Sequence, residues 1–338
     1  MGRDPHSLGC DESWEGVRAV VAGMGRAGFA AADNLTHVGA HAIALEDSEE
    51  DPRPEQATLL GILGADVRLG PGATATLPDD VDVLVVSPGW PADAALIDQA
   101  LARGVPVWSD AELAWRLRGT GAAAPWLALT GTAGTATTVH LLAAMLGAAG
   151  LRSVAAGHAG MPLVEATMTD HGGAGEPYDV LAVALSETQL RWSSSVRAES
   201  GAVLTVADAA VEDATAMGRI YHGVERACVY SLADAATEQL VREADVLEGA
   251  RAIGVTLGTP GVGMLGVVDD VLCDRAFVVD RQTSAAELCT VGELASPEPA
   301  FVAHALAAAA LARAHGVPPA AVREALIGFG DDTRPMSP

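Results

Sequence analysis

The sequence predicts an α/β protein with a Rossmann-like N-terminal domain and a second α/β domain built around a P-loop-like turn. Its 338 residues suit two domains. Short apolar runs alternate with helical patterns along the chain, as expected for parallel strands that are buried on both faces. A glycine-rich turn follows an apolar run twice. We place the domains at residues 16–118 and 124–330, with small residues between them.

The first domain opens with a predicted strand at 17–22, the turn Gly23-Met24-Gly25-Arg26-Ala27-Gly28 and a helical pattern to Leu35. This is a G-x-G-x-x-G in the strand–turn–helix setting of a dinucleotide site. The acidic pair Glu46-Asp47 ends a second strand, 41–45, about twenty residues further on, where such a site has its ribose-binding carboxylate. The other predicted elements are strands at 65–69, 81–86 and 105–108 and a helix at 92–103.

The second domain begins with an apolar run at 126–129, the turn from Thr130 to Thr138 and a helix-like stretch at 140–146. This is the setting of a phosphate-binding loop, which needs a Lys for the phosphates and a following Ser or Thr for Mg²⁺. Thr135 and Ala136 stand at those two positions. Backbone N–H groups can still form the cradle, so a degenerate phosphate loop is predicted at Thr132, Gly134 and Thr135. Further strands are predicted at 178–185, 202–206, 227–230 and 251–256, a β-rich stretch at 263–279, and helices at 300–314 and 319–326.

The composition limits which partners are expected. Half of the residues are apolar, which is enough for substantial cores. The formal net charge of −24 argues against nucleic acid and anionic membranes as partners. The four cysteines are far apart and show no metal spacing, so free thiols and no metal site are expected. No apolar run approaches membrane-spanning length and the start is polar, which predicts a cytoplasmic protein.

Several motifs together resemble the Mur ligase family, in particular its D-glutamate-adding, MurD-like members. They are Val20-Val21-Ala22-Gly23-Met24-Gly25, Ser87-Pro88-Gly89-Trp90, the Thr130 loop, and Leu257-Gly258-Thr259-Pro260-Gly261. The resemblance covers nearly the whole chain. It implies a uridine-nucleotide domain, a central ATPase domain of the Mur ligase type, and a third domain that closes over ATP; this third domain is expected to be absent from the chain.

The departures from the family pattern fall on its ATP and Mg²⁺ ligands. The phosphate-loop lysine is replaced by Thr135, and the Mg²⁺ glutamate falls at Ala184. An Asn of a glycine turn falls at His158, and an Asn near the adenine falls at His304. From these departures we predict that ATP and Mg²⁺ use is lost and that no cofactor remains. A His and a carboxylate in a cleft can do acid–base work, so the candidate catalytic residues are Glu187, His304, His158, Asp208 and Asp213.

The ligand of the first domain stays open. The glycine motif alone suits NAD, whereas in the resembled family the same geometry holds a uridine nucleotide; a third alternative is a relic whose glycines only close a tight turn. Ser87-Pro88-Gly89 ends a strand at the expected crevice and favours uridine, and Arg26 can meet a phosphate. The candidate nucleotide-binding residues are Gly25, Arg26, Glu46, Asp47, Ser87, Pro88 and Gly89.

Three functions follow as alternatives. The first is a binding or scaffold pseudoenzyme near peptidoglycan precursors. The second is a repurposed, ATP-independent enzyme of specialised metabolism that uses the old cleft for cyclisation, dehydration or hydrolysis. The third, ranked last, is an active D-glutamate ligase. Without a third domain we also expect exposed apolar surface around Phe301, Val302, Leu326 and Phe329, and hence a homodimer or a partner protein on that face.

Overall fold

A computed structural model describes residues 7–50, 52–119, 123–168 and 176–330. The chain divides into two compact units. Unit 1 takes its described residues from Met1–Ala123, Met161–Glu176 and Thr188–Val196, and unit 2 from Ala124–Gly160, Pro177–Glu187 and Arg197–Pro338. Two segments that follow residue 160 therefore pack with unit 1 rather than with their neighbours in the sequence.

Unit 1 is built on a five-stranded parallel sheet with strand order β3-β2-β1-β4-β5. Its central strands are apolar on both faces because helices cover the two sides, and Val20, Val21 and Val85 are completely buried. The elements are β1 (Arg18–Ala22), α1 (Arg26–His37), β2 (His41–Glu46), α2 (Arg53–Leu63), β3 (Asp66–Leu69), β4 (Val83–Val86), α3 (Ala95–Ala102), β5 (Val107–Ser109) and α4 (Asp110–Leu117).

Unit 2 contains a nine-stranded sheet with strand order β14-β13-β12-β11-β10-β9-β6-β8-β7. The strands from β7 to β12 in this row are parallel, and β12, β13 and β14 form antiparallel pairs at one edge. The elements are β6 (Trp126–Thr130), α5 (Thr135–Ala148), β7 (Ser153–Gly157), α6 (Leu163–Met168, in unit 1), β8 (Val180–Ala184), α7 (Glu187–Arg191, which begins in unit 2 and continues into unit 1), β9 (Ser200–Val203), α8 (Val211–Gly218), β10 (Ala227–Ser231), α9 (Ala235–Arg242), β11 (Arg251–Val255), β12 (Met264–Val268), β13 (Val271–Asp274), β14 (Ala286–Thr290), α10 (Pro299–His315) and α11 (Pro319–Gly328).

The core of unit 2 is formed by α5, α10 and α11 against the sheet. Helix α10 is alanine-rich, and its residues from Ala305 to Ala312 are all buried, so it packs closely on several sides. The prediction of an exposed apolar surface here is wrong in part, because Val302 of α10 and Leu326 of α11 are buried in the core. Phe301 and Phe329 are half-buried and pack against each other with ring centroids 6.0 Å apart. The predicted homodimer remains untested and loses this surface as its basis.

Within the ranges described above, no helix combines the length and the apolar character that crossing a membrane requires.

Candidate functional site

Two glycines of the turn between β1 and α1, Gly23 and Gly28, leave no room for side chains. Gly23 has a φ of 90°, and a Cβ at Gly28 would lie 1.9 Å from the Gly23 carbonyl oxygen. The Ser87 hydroxyl, at the end of β4, donates a hydrogen bond of 3.0 Å to the same oxygen. Gly28 therefore allows α1 to begin directly against the turn, and Ser87 joins this turn to the next strand.

The predicted acidic pair has partners within the protein. The Met24 N–H, in the glycine turn, donates to a Glu46 carboxylate oxygen at 2.9 Å, and the Arg53 Nε lies 3.5 Å from Glu46. Asp47 accepts from the backbone N–H and the hydroxyl of Thr74, at 3.0 and 2.5 Å. These hydrogen bonds hold the pKa of Asp47 below its usual range. Both carboxylates thus order loops at the carboxyl edge of the sheet, and contact with a nucleotide stays a prediction.

The other candidate nucleotide ligands lie at the same edge of unit 1. Arg26 is the first residue of α1 and is exposed, directly after the N-cap residue Gly25. Burial raises the pKa of Glu165, and the charge of Arg26 opposes this shift with a smaller effect. Pro88 is half-buried, and Gly89 is exposed with a φ of 80°.

The phosphate-type loop of unit 2 is formed in the structure. Gly134 has a φ of 80° and is the N-cap residue of α5. The Thr132 N–H donates to the Thr205 carbonyl at 3.0 Å, and the Thr138 hydroxyl donates to the Gly134 carbonyl at 2.8 Å. The first-turn N–H groups of α5 have no intrahelical carbonyl to bond, so the loop offers an anion the donors of a helix N-terminus.

His158 lies beside this loop and is bonded on both ring nitrogens. Its Nδ1 lies 3.1 Å from the Ala184 carbonyl oxygen, and its Nε2 lies 3.1 Å from the Thr135 hydroxyl. A carbonyl only accepts, so Nδ1 carries the hydrogen and Nε2 of the neutral ring accepts from Thr135. Burial lowers the pKa of His158, against the smaller raising effects of the Ala184 carbonyl and the Glu187 carboxylate. Neutral pH therefore favours the uncharged imidazole.

His304, on α10, lies against Gly134 of the same loop. A Cβ built on Gly134 would lie 1.9 Å from the His304 Nε2, so the imidazole occupies the space that a side chain would need. His304 is half-buried and burial lowers its pKa. It also lines a cavity of about 150 Å³ at the ends of β9, β10 and β11. In the part of the chain that the structure describes, its ring has no hydrogen-bond partner.

The structure brings together some of the predicted catalytic residues. His158 and His304 flank the phosphate loop, and Glu187 acts electrostatically on His158. Asp208 lies in a turn with a φ of 62° and is exposed, and Asp213 is half-buried in the first turn of α8. Their catalytic roles remain predictions.

A metal centre is not assembled among the described residues, which contain no group of three His, Cys, Asp or Glu side chains able to hold an ion.

Sequence reasoning missed the hydrogen bond between Thr135 and His158. The two residues are 23 positions apart, and their approach depends on β6 and β7 both pairing with β8. The signal in the sequence is the glycine at position 157. The structure gives its reason, because Gly157 has a φ of 103° and a Cβ there would meet the Ala184 carbonyl oxygen at 2.0 Å. This close packing brings the histidine that follows it against the end of β8.

Similarity to known proteins extends over almost the whole chain. The chain is 51% identical over 327 residues to the UDP-N-acetylmuramoylalanine–D-glutamate ligase of Streptomyces avermitilis, covering 95% of this chain and 68% of the relative. The corresponding ligase of Streptomyces coelicolor is 49% identical over 328 residues, covering 94% and 68%. No family model matches the chain.

A solved structure shows the same fold. The UDP-N-acetylmuramate:L-alanyl-γ-D-glutamyl-meso-diaminopimelate ligase of Neisseria meningitides superimposes with a TM-score of 0.58. It covers 94% of this chain and 99% of its own, at 18% sequence identity.

These findings correct the functional prediction. The sequence pattern favoured a scaffold pseudoenzyme or an ATP-independent enzyme of specialised metabolism, with ATP and Mg²⁺ use lost. Both expectations are wrong, because relatives at 41–51% identity over nearly the whole chain bear the name of a ligase. Thr135 and Ala184 differ from the ligand residues of the family pattern, but the similarity to the ligases extends over 95% of the chain.

Proposed function

The chain belongs to the Mur ligase family, and from this premise we propose that it is a UDP-N-acetylmuramoylalanine–D-glutamate ligase. The enzyme would join the amino group of D-glutamate to the alanine carboxylate of UDP-N-acetylmuramoylalanine and would use ATP to activate that carboxylate. The observation that carries the proposal is the 51% identity to a relative of that name along 95% of the chain. The geometry of the two glycine loops supports it.

Unit 1 would bind the uridine nucleotide at the carboxyl edge of its parallel sheet, where open α/β sheets hold their ligands. The exposed Arg26 and the N-terminus of α1 offer positive charge to a diphosphate. Glu46 accepts the Met24 N–H and so keeps the glycine turn in place beside them. In a chain of net charge −24, this local positive charge favours an anionic substrate at this edge.

Unit 2 would hold the phosphates of ATP on the loop before α5. The loop fits a phosphoryl group, because its backbone donors converge at a helix N-terminus and Gly134 adopts the left-handed conformation that the turn requires. Mg²⁺ would supply charge neutralisation on the phosphates. The described residues contain no cluster that fits this ion, so we assign it no ligand in the chain.

An activity assay tests the proposal. The protein is incubated with UDP-N-acetylmuramoyl-L-alanine, D-glutamate, ATP and Mg²⁺, and the product and ADP are measured by mass spectrometry. We expect one ADP for each D-glutamate joined, and none when D-glutamate is replaced by its L isomer. No product under conditions in which the Streptomyces avermitilis relative is active would contradict the proposal.

Substrate binding is measured separately by thermal shift. UDP-N-acetylmuramoyl-L-alanine should stabilise the wild type by mass action. Arg26→Ala should weaken that shift, whereas Arg68→Ala, at an exposed arginine of β3, should leave it unchanged. An equal thermal shift in the two variants would show that Arg26 does not contribute to nucleotide binding.

A further inference from the structure

The phosphate loop lacks a permanent positive charge, but it has a hydroxyl held by an imidazole. Thr135 is buried at the first position of α5, and its hydroxyl meets the Nε2 of His158. The Thr138 hydroxyl already donates to the Gly134 carbonyl. Thr135 is therefore the loop side chain whose hydrogen-bonding direction depends on the state of another residue.

The direction of this hydrogen bond follows from the Ala184 carbonyl. That oxygen keeps the hydrogen of His158 on Nδ1 in both the neutral and the charged ring. In the neutral ring, Nε2 accepts, so the Thr135 hydroxyl hydrogen points toward the imidazole. Only the lone pairs of that oxygen then face other groups, and they repel a phosphoryl oxygen. Taking up a proton at Nε2 reverses the bond: Nε2 donates to the Thr135 oxygen, and the hydroxyl hydrogen is free to turn toward an anion.

We propose that protonated His158, acting through the Thr135 hydroxyl, supplies the positive charge and the side-chain donor of the phosphate loop, so that the loop binds a phosphoryl group together with one proton. In this arrangement Thr135 touches the phosphoryl group and His158 is a positioning residue. The proton comes from solvent, adds to Nε2, and is released when the anion leaves. The inference rests on the proposed function only in taking this loop as the place where a phosphoryl group binds.

The surroundings of His158 favour its neutral form when no anion is bound at the loop. Burial opposes the charged ring and lowers its pKa, and the positive end of the α5 dipole acts in the same direction. The Ala184 carbonyl at the end of β8 and Glu187 at the start of α7 favour the charged ring. His304, beyond Gly134, is itself shifted toward its neutral form by burial. An arriving dianion reverses this balance, because it places negative charge beside Thr135.

His304 offers a competing source of the proton. It lies against Gly134, but it has no hydroxyl to reorient, since its ring is without a hydrogen-bond partner among the residues described here. The two histidines therefore make different predictions. A change at His158 should alter both the affinity and its pH dependence, whereas a change at His304 should leave the pH dependence in place.

The test follows the imidazole signals by NMR from pH 5 to 8, with and without sulfate. Sulfate is a tetrahedral dianion that does not titrate in this range, so any pH dependence belongs to the protein. The chain has nine histidines, and His158→Gln identifies the signal of interest. We expect sulfate to raise the pKa of His158, and its affinity to increase by up to tenfold for each pH unit of acidification where His158 is neutral.

Four variants separate the contributions of the individual residues to sulfate binding. His158→Gln keeps an N–H donor toward Thr135 without a titratable charge, so sulfate binding should become independent of pH. Thr135→Val should abolish the pH-dependent part of the sulfate affinity. His304→Gln and His140→Gln, the latter at an exposed position of α5, should retain the wild-type slope.

Two results would overturn the inference. In the first, the Gly134 and Ala136 amide signals show sulfate bound at the loop, but the pKa of His158 does not change. The same holds if the pH dependence of the sulfate affinity disappears in His304→Gln. The other is no sulfate binding at pH 5. Proton-linked binding without D-glutamate ligation would contradict the proposed function alone.

Discussion

The two glycine loops of this chain have the same strand–turn–helix form and use different chemistry to support it. In unit 1, the Glu46 carboxylate accepts the Met24 N–H, and the turn packs directly against its own helix at Gly28. In unit 2, the loop is flanked by the imidazoles of His158 and His304. A carboxylate thus orders the first loop, and two imidazole rings lie beside the second.

The first loop is rigid, whereas the charge beside the second loop can change. A backbone contact at Gly28 cannot be relieved by a side-chain movement, whereas the imidazole at Gly134 can change its rotamer or its protonation state. We therefore expect a side chain at Gly28 to destabilise the fold more than one at Gly134. Substitutions of the titratable groups beside the second loop should change how an anion binds.

Gly28→Ala should have the largest effect. The new Cβ would lie 1.9 Å from the Gly23 carbonyl oxygen and 2.4 Å from the Ser87 hydroxyl, so the turn has to shift. We expect a loss of about 3 kcal/mol in the free energy of unfolding, measured by urea denaturation. Gly25→Ala is the control, because a Cβ there has no neighbour within 4 Å, and it should cost less than about 1 kcal/mol. Equal losses in the two variants would contradict the rigid packing at Gly28.

Much of this framework is visible in the sequence, because buried parallel strands are continuous apolar runs. The strand expected at 17–22 is β1 (Arg18–Ala22), and the helix expected at 300–314 is α10 (Pro299–His315). Strand β7 was missed because Ser-Val-Ala-Ala-Gly has too little bulk to stand out as a strand. The glycine turns were also predictable, since their positive φ angles limit the residue type.

The chemistry of the site was less accessible to sequence reasoning. The prediction that Glu46 binds a nucleotide stays open. The structure adds the hydrogen bond from the Met24 N–H to the Glu46 carboxylate, a contact between the end of β2 and the glycine turn that no local pattern encodes. The apolar face at Val302 and Leu326 was expected to be exposed, but packing among α5, α10 and α11 buries it. Such outcomes depend on which elements become neighbours, and a single sequence does not specify that directly.

Gly134→Ala should have an intermediate effect. Ala at a φ of 80° is strained, and the His304 ring has to move aside. We expect a loss of about 1–2 kcal/mol in the free energy of unfolding by the same measurement. Gly150→Ala is a close control, because Gly150 also has a φ of 80° but a Cβ there meets nothing within 4 Å. The difference between the two variants measures the imidazole contact, and it should disappear when His304→Ala is added; a difference that persists would place the strain elsewhere.

Glu187→Gln should have the smallest effect, and it tests whether the charge beside the second loop is adjustable. Glu187 favours the charged form of His158, so its removal should lower the pKa of His158 further. The folded-state pKa is already below that of a free histidine, so His158 contributes stability above the unfolded pKa and loses it as the pH falls through the folded pKa. In Glu187→Gln this loss, and the sulfate affinity linked to the proton, should both move to lower pH. The coupling should stay below about 1 kcal/mol, because Glu187 is half-exposed. The charge-matched control is Glu212→Gln, at an exposed position of α8. An unchanged NMR titration of His158 in Glu187→Gln would show that Glu187 does not control the charge beside the loop.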